Sequence, residues 1–307
     1  MSRVAVVGAS GFVGSAVVEA LTRRGHEVVP VRAPRLTAAS DAEEQRAADE
    51  LAPSFAGVDA VVNAAGIAEA TGDDAAMAAA NGVLPAAVAR ASRHNGARLV
   101  HVSSAAVQGN ADLLDSSGAT HPFSPYSHSK ADGERQVLTA RGEGLEAVVY
   151  RPPGVHHPSR RVTRRLVSLA ASPAASVAGA GNRPTAQALL ENVADAIAFL
   201  ATCETVPPAI VHHPSEGLTT SGLLEALGGR RPRRLPTPLA RVLVLAAKRA
   251  DRVRPGLAGQ ARRIEMLWFG QAQSPSWLTA AGWRPVAPLD HWMTLGRAVR
   301  EGEHTHD

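Results

Sequence analysis

The chain reads as an α/β protein, a doubly wound parallel sheet with a smaller mixed C-terminal lobe, and three observations predict it. Short β-branched runs recur through the first half: VAVVG (4–8), EVVPV (27–31), DAVVN (59–63), RLVHVSS (98–104) and EAVVYR (146–151). Longer Ala-rich or charged stretches separate them, such as SAVVEALTRRG and DAEEQRAADELA, and many of these close on glycine, as helices do. Repeated strand-helix-strand units imply parallel strands covered by helices on both faces. The third observation is GASGFVG, with glycines at 8, 11 and 14, between the first strand and the first helix.

Each element adds to this frame. A turn of that kind needs residues without Cβ where the backbone approaches a dinucleotide pyrophosphate, and the helix N-terminus supplies oriented N–H groups. Gly8, Ser10, Gly11, Phe12, Val13 and Gly14 are therefore candidate cofactor contacts. The second strand runs into Arg32 and Arg35, and the third ends in Asn63-Ala64-Ala65-Gly66. A long Ala-rich segment with NG at 81–82 precedes the strand RLVHVSS, which ends on Ser103 and Ser104. SPYSHSK (124–130) then places Tyr126 four residues before Lys130, so a helix brings both to one face, for packing or for chemistry. Both are notable in a chain with two tyrosines. RPPG follows at 151–154. Beyond it the rhythm loosens: HHPSRRVTRRLVSLAASP predicts a Pro-led loop and a basic helix, NVADAIAFLATC a helix, and PAIVHH a strand that returns to the sheet. The reading assigns 1–153 and 185–213 to the dinucleotide domain, and 154–184 and 214–307 to a substrate lobe.

In this order the motifs resemble those of the short-chain dehydrogenase/reductase superfamily, in particular its extended branch of nucleotide-sugar epimerases, dehydratases and reductases. The glycine spacing, the NAAG segment, the SS-x-x-V stretch, YxxxK and RPPG carry the likeness over about two-thirds of the chain. The resemblance implies a Rossmann-type fold, a catalytic tetrad of Asn81, Ser104, Tyr126 and Lys130, and cofactor contacts from Asn63, Ala64, Ala65, Gly66 and Pro153 besides the glycine loop. Tyr126 and Lys130 would also touch the cofactor. NAD-using members end the second strand in an acid; Arg32 stands there instead, with Arg35 close behind, and a guanidinium forks onto a 2′-phosphate that a carboxylate repels. NADP(H) is favoured over NAD(H).

A free tyrosine has a pKa near ~10, and a nearby ammonium favours its phenolate form. Lys130 is expected to supply that ammonium and to hold the nicotinamide ribose, while Ser104 donates to the substrate carbonyl as charge grows there. Asn81 is expected to hold a water and the helix backbone in the proton path. Arg161 and Arg165, one turn apart on the basic helix, are candidate substrate contacts for the diphosphate of a nucleotide sugar. The chain also departs from the family: Gln108 replaces the usual tyrosine of the serine segment, HHP replaces YGP, and Asn192 replaces an aspartate. Ala105 and Ala106 follow Ser104 where sugar dehydratases carry an Asp-Glu pair, so dehydration lacks its acid-base pair. The expected activity is NADP(H)-dependent reduction of a keto group on a nucleotide-linked deoxysugar. The alternatives are an epimerase with retained NAD, a reductase of an apolar, steroid-like ketone, and a non-catalytic NADP-binding protein.

Composition sets the remaining bounds. Among 307 residues the formal net charge is +4, but arginines concentrate around 160–165 and 230–263 without aromatic interleaving, so no nucleic-acid partner is expected. Cys203 is the only cysteine, which excludes a disulfide framework and a CxxC metal knuckle and suits a reducing cytoplasmic setting. The histidine pairs 156–157 and 212–213 lack partners at ligand spacing, so no metal is expected. No run reaches the length of a membrane span, and no membrane partner is expected. The resemblance further implies a homodimer packed through the helices that carry Asn81 and Tyr126.

Overall fold

A computed structural model describes residues 1–36, 38–67, 74–250 and 257–303. The dinucleotide half begins β1 (Arg3–Val7), α1 (Phe12–Arg23), β2 (Glu27–Val31), α2 (Asp41–Leu51), β3 (Ala60–Asn63) and α3 (Asp74–Ala78). It continues through α4 (Leu84–His94), β4 (Arg98–Val102), β5 (Leu113–Leu114), α5 (Pro125–Gly142) and β6 (Ala147–Arg151). There follow β7 (Gly154–His156), α6 (Arg161–Ala171), β8 (Ser176–Ala178), β9 (Gln187–Leu189), α7 (Leu190–Thr202) and β10 (Ile210–His212). The chain ends in α8 (Thr220–Gly228), β11 (Arg233–Leu235), α9 (Thr237–Ala250), α10 (Leu257–Phe269), β12 (Ala272–Gln273), α11 (Trp277–Ala280) and α12 (His291–Glu303).

Six of these strands form one parallel sheet in the order β10-β6-β4-β3-β1-β2. All five β-branched runs of the first half lie in it, and PAIVHH supplies the edge strand β10, as the sequence predicts. Alternate side chains feed two cores. Val4, Val6, Val62, Val100, Val148 and Tyr150 meet α1 and α7 on one face; Ala5, Val7, Val61, Leu99 and Val149 meet α2, α4 and α5 on the other. A strand buried on both sides gains from a branched residue at every position, so these runs lack a polar alternation. β1 lies between β2 and β3, so the connections leaving β1 and β3 diverge at a topological switch point, where such sheets leave a crevice beyond the strand ends.

The smaller lobe is built from separated segments. β7 pairs with β9, β8 with β11, and β5 with β12, each in parallel. Its core gathers Val167, Ala170, Val177, Leu189, Leu223, Leu224, Leu227, Trp292 and Leu295. Among the described residues no helix is long and apolar enough to cross a membrane, and no three His, Cys, Asp or Glu side chains cluster to hold a metal.

One polar contact inside this frame fixes α5 on the sheet. Glu134 of α5 and Arg151 at the end of β6 are both buried and pair through two bonds, Nε to Oε1 at 2.9 Å and a terminal nitrogen to Oε2 at 2.7 Å. Ser103 donates to the same Oε1 at 2.5 Å, and the other guanidinium nitrogen reaches the Ser117 carbonyl at 2.8 Å. Close packing supports the same helix: a Cβ at Gly133 would lie 2.1 Å from the Asn81 carbonyl oxygen, so only glycine lets α5 approach there. Removing one partner of such a pair leaves a buried charge alone. Arg151→Met is expected to cost about 3–5 kcal/mol in urea unfolding, and adding Glu134→Leu to recover most of that loss. A double variant as unstable as the single would rule out an uncompensated charge as the cause.

Candidate active site

The crevice at the switch point is a cavity of about 870 Å³. Its lining includes Gly8, Ser10, Gly11, Phe12 and Val13 from the first loop, and Arg32 beyond β2. Ala64, Ala65 and Gly66 beyond β3, Ser104, Tyr126 and Lys130, Asn81, and Pro153 also line it. Residues far apart in sequence converge because every parallel strand ends at the same edge.

The glycine loop fits a dinucleotide. Gly8 holds φ 81° and a Cβ there would sit 2.9 Å from the Ala65 backbone, while one at Gly14 would sit 2.0 Å from the Gly8 carbonyl oxygen. The two loops can close on each other only without those atoms. Gly14 thus shapes the turn from behind and does not line the cavity. Helix α1 starts after Gly11 with no side-chain cap and no acid in its first turn, which leaves the leading amides and the positive dipole end to an anion. Arg35 lines an adjoining cavity together with Arg32, at the end of the crevice beside β2.

Asn63, a candidate cofactor contact by resemblance, does not line the cavity. It is fully buried behind the lining: its Oδ1 accepts from Ala65 N at 3.2 Å and its Nδ2 lies 3.3 Å from His101 Nδ1. The strand ends one residue before the cavity, so its side chain turns under the loop.

Asn81 sits in a single π-helical turn (79–83) between α3 and α4, the kind of local distortion that re-aims a side chain. Its amide reads the Ile67 backbone both ways, Oδ1 accepting from N at 2.9 Å and Nδ2 donating to O at 2.9 Å. It also donates to Ser129 Oγ at 3.0 Å. Asn81 therefore ties the loop after β3 to α5.

Helix α5 presents Tyr126 and Lys130. Ser124 caps it through a reciprocal box with Ser127, and Pro125 occupies its first turn, so the tyrosine lies at a rigid helix start. Ser104 leaves β4 as the cap of a short 3₁₀ turn, its Oγ accepting from Ala106 N at 3.2 Å, and lines the cavity with Tyr126. Burial raises the phenol pKa; the Ser104 hydroxyl and the Arg160 charge oppose that rise only in part. The buried Lys130 ammonium donates to the Val102 carbonyl at 2.8 Å, and desolvation lowers its pKa to about 8 against the opposing pull of Glu134. The Lys130 ammonium is bonded to β4 in this structure, and Arg160 adds a positive charge near the phenol. His101, buried under the loop, is held well below its ordinary pKa by desolvation and by the Lys130 charge, so it stays neutral.

The outer wall comes from the second lobe and the segments before α5. Leu114, Phe123, Val155, Ala186 and Met266 make it apolar. Arg160 and Arg161 stand at it, Arg160 over the Phe12 ring at 4.9 Å and bonded to Val155 O at 2.9 Å. Arg161 lines the cavity, but Arg165 does not; one further turn of α6, about 5.4 Å of rise, separates the two. Sequence reasoning missed Phe123, just before α5, Met266 on α10, and Gln187, which the pairing of β7 with β9 brings to the cavity; tertiary packing gathers them and no local motif marks them.

Comparison with known proteins agrees with this geometry. The chain is 32% identical over 169 residues to the 4-hydroxy-2-methyl-3-oxo-4-farnesyl-3,4-dihydroquinoline-1-oxide ketoreductase of Stigmatella aurantiaca. That match spans about half of each chain, 49% and 49%. A UDP-glucose 4-epimerase of Thermotoga maritima, solved with UDP-glucose, superposes with a TM-score of 0.66 at 17% identity, covering 98% of this chain and 99% of that one. A dTDP-4-dehydrorhamnose reductase of Bacillus anthracis, solved with NADP, gives 0.63 at 16% identity over 99% and 100%. The family model matches residues 4–208, most of the parallel sheet and the whole Ser104-Tyr126-Lys130 segment. The chain belongs to the NAD dependent epimerase/dehydratase family.

Proposed function

We propose that this protein is an NADP(H)-dependent ketoreductase, and the observation that carries the reading is the convergence of Ser104, Tyr126 and Lys130 on the cavity that the glycine loop lines. A bound nicotinamide supplies the hydride. Ser104 donates to the carbonyl oxygen as it gains charge, and Tyr126 delivers its proton to that oxygen. The phenol carries its proton at neutral pH, the state reduction requires; oxidation would need the phenolate. Lys130, charged in the same cavity, offsets the negative charge left on Tyr126. Arg32 and Arg35 favour the 2′-phosphate of NADP(H), since among the described residues neither guanidinium has a side-chain partner to compete for it and Arg32 borders the dinucleotide crevice.

For the substrate, the apolar wall of Leu114, Phe123, Val155, Ala186 and Met266 supports an apolar ketone, and the name of the Stigmatella relative describes a farnesylated one. The nucleotide-linked deoxysugar, the first expectation from the sequence, becomes the second reading, favoured by Arg160 and Arg161 at the cavity. A panel of quinoline, steroid and nucleotide-sugar ketones assayed by NADPH oxidation separates the two.

Tyr126→Phe is expected to lower turnover at least about a thousandfold while NADPH still quenches protein fluorescence. In the wild type, kcat/KM for reduction is expected to stay level up to Lys130's pKa of about 8 and fall above it as the ammonium deprotonates. Lys130→Met should erase that inflection; a decline that persists in the variant would assign it to another group. Arg32→Asp is expected to cut the preference for NADPH over NADH at least about tenfold, measured as the ratio of their kcat/KM values. An unchanged ratio would remove Arg32 from cofactor selection.

A further inference from the structure

Helix α9 is apolar on both of its faces. Inward it buries Ala240 and Val244, one turn apart, against the lobe; outward it shows Leu239, Val242, Leu243 and Leu245, each 45–62% exposed. Between Pro238 and Ala247 the only polar side chain is Arg241. A surface helix of a water-surrounded domain places polar residues outward, so an outward aliphatic stripe of this kind needs a covering phase. Ile264, exposed on the adjoining helix α10, adds to the exposed apolar surface of this pair.

The charges around the stripe say what that phase is. Residues 230–249 hold seven Arg or Lys and no Asp or Glu. Two are paired, Arg231 with Glu225 at 3.4 Å and Lys248 with Glu265 at 2.7 Å. Arg233 and Arg234 on β11, with Arg241 and Arg249 on α9, are exposed and have no ion-pair partner among the described residues. Aliphatic tips flanked by unpaired cations match an anionic lipid interface, where the tips enter the acyl boundary and the guanidiniums meet phosphates. A second copy fits worse, because a two-fold contact through this face would bring two sets of cations together. Nucleic acid fits worse too, since the centre of the face is aliphatic and has no aromatic ring on which a base could stack.

We propose that α9 and the adjoining β11 segment dock the protein on an anionic phospholipid membrane surface. The contact is peripheral and needs no spanning helix. Its apolar residues do not line the catalytic cavity, so it stands or falls independently of the proposed reaction. Arg241 also borders a smaller cavity of about 370 Å³ that shares Gln271 with the catalytic one, so the docked face lies beside the substrate side of the enzyme.

The test is co-sedimentation of the full chain with phosphatidylcholine vesicles, with and without about one-third phosphatidylglycerol. Expected is pelleting at least about tenfold greater with the anionic vesicles, and its loss in about 0.5 M sodium chloride. The double variants Val242→Asp/Leu243→Asp and Arg233→Glu/Arg234→Glu are each expected to reduce binding at least about tenfold with an unchanged melting temperature. A wild type that stays in the supernatant, or pelleting that survives the Asp variant, overturns the proposal. So does a fall in molecular mass by light scattering in the Asp variant, which would identify a second copy as the covering partner.

Discussion

The bidentate pair between Glu134 and Arg151 decides where the chemistry can occur. Arg151 ends β6, Glu134 lies on α5 one turn beyond Lys130, and Ser103, which shares the carboxylate, immediately precedes Ser104. One buried contact therefore sets the position of the helix bearing Tyr126 and Lys130 against the strand end bearing Ser104. A buried ion pair contributes little net stability compared with an apolar replacement, because its desolvation offsets most of the attraction. Its value here is geometric. A hydrophobic contact would tolerate a small slide of α5 along the sheet, whereas two directed bonds to one guanidinium do not.

The same carboxylate shapes the electrostatics. Lys130 loses most of its hydration, and Glu134 is the group that opposes the resulting fall in its pKa. His101, on the neighbouring strand, stays neutral partly because Lys130 is charged, so the floor of the site carries one cation there rather than two. Tyr126 is arranged differently: burial raises its pKa, and the Arg160 charge from the second lobe opposes that rise. Tyr126 is thus coupled to the second lobe, while Lys130 is bonded to the sheet.

The sheet was legible because burial on both faces writes a continuous branched run into its inner strands. The glycine loop was legible for a related reason, since backbone contacts at Gly8 and Gly14 tolerate no Cβ. Tyr126 and Lys130 were legible through helical spacing. What the spacing could not carry was the partner of each group. The Lys130 bond to Val102, the inward turn of Asn63 and the Arg160 charge near Tyr126 are long-range consequences of how strands end, and no short pattern encodes them. Arg165 misled because a shared helix face is not a shared cavity.

Besides Arg160 and Arg161, the second lobe brings a neutral directed group to the wall. His156 is buried and held to a pKa of about 4, chiefly by desolvation, so its ring is neutral and has one donor and one acceptor. Nδ1 lies 3.2 Å from the Thr163 hydroxyl and Nε2 lies 2.8 Å from Gln187 Oε1; an amide oxygen can only accept, so Nε2 carries the hydrogen and Nδ1 accepts from the threonine. That assignment commits the Gln187 oxygen to the protein and leaves its NH₂ as the free end of a side chain that lines the cavity. Gly154 permits the arrangement, since a Cβ there would fall 2.2 Å from the same oxygen. Gln187 and the Ser104–Tyr126 pair thus give the cavity two separate polar points with apolar wall among the lining, a layout that orients a ligand by its acceptors while its bulk is held by packing.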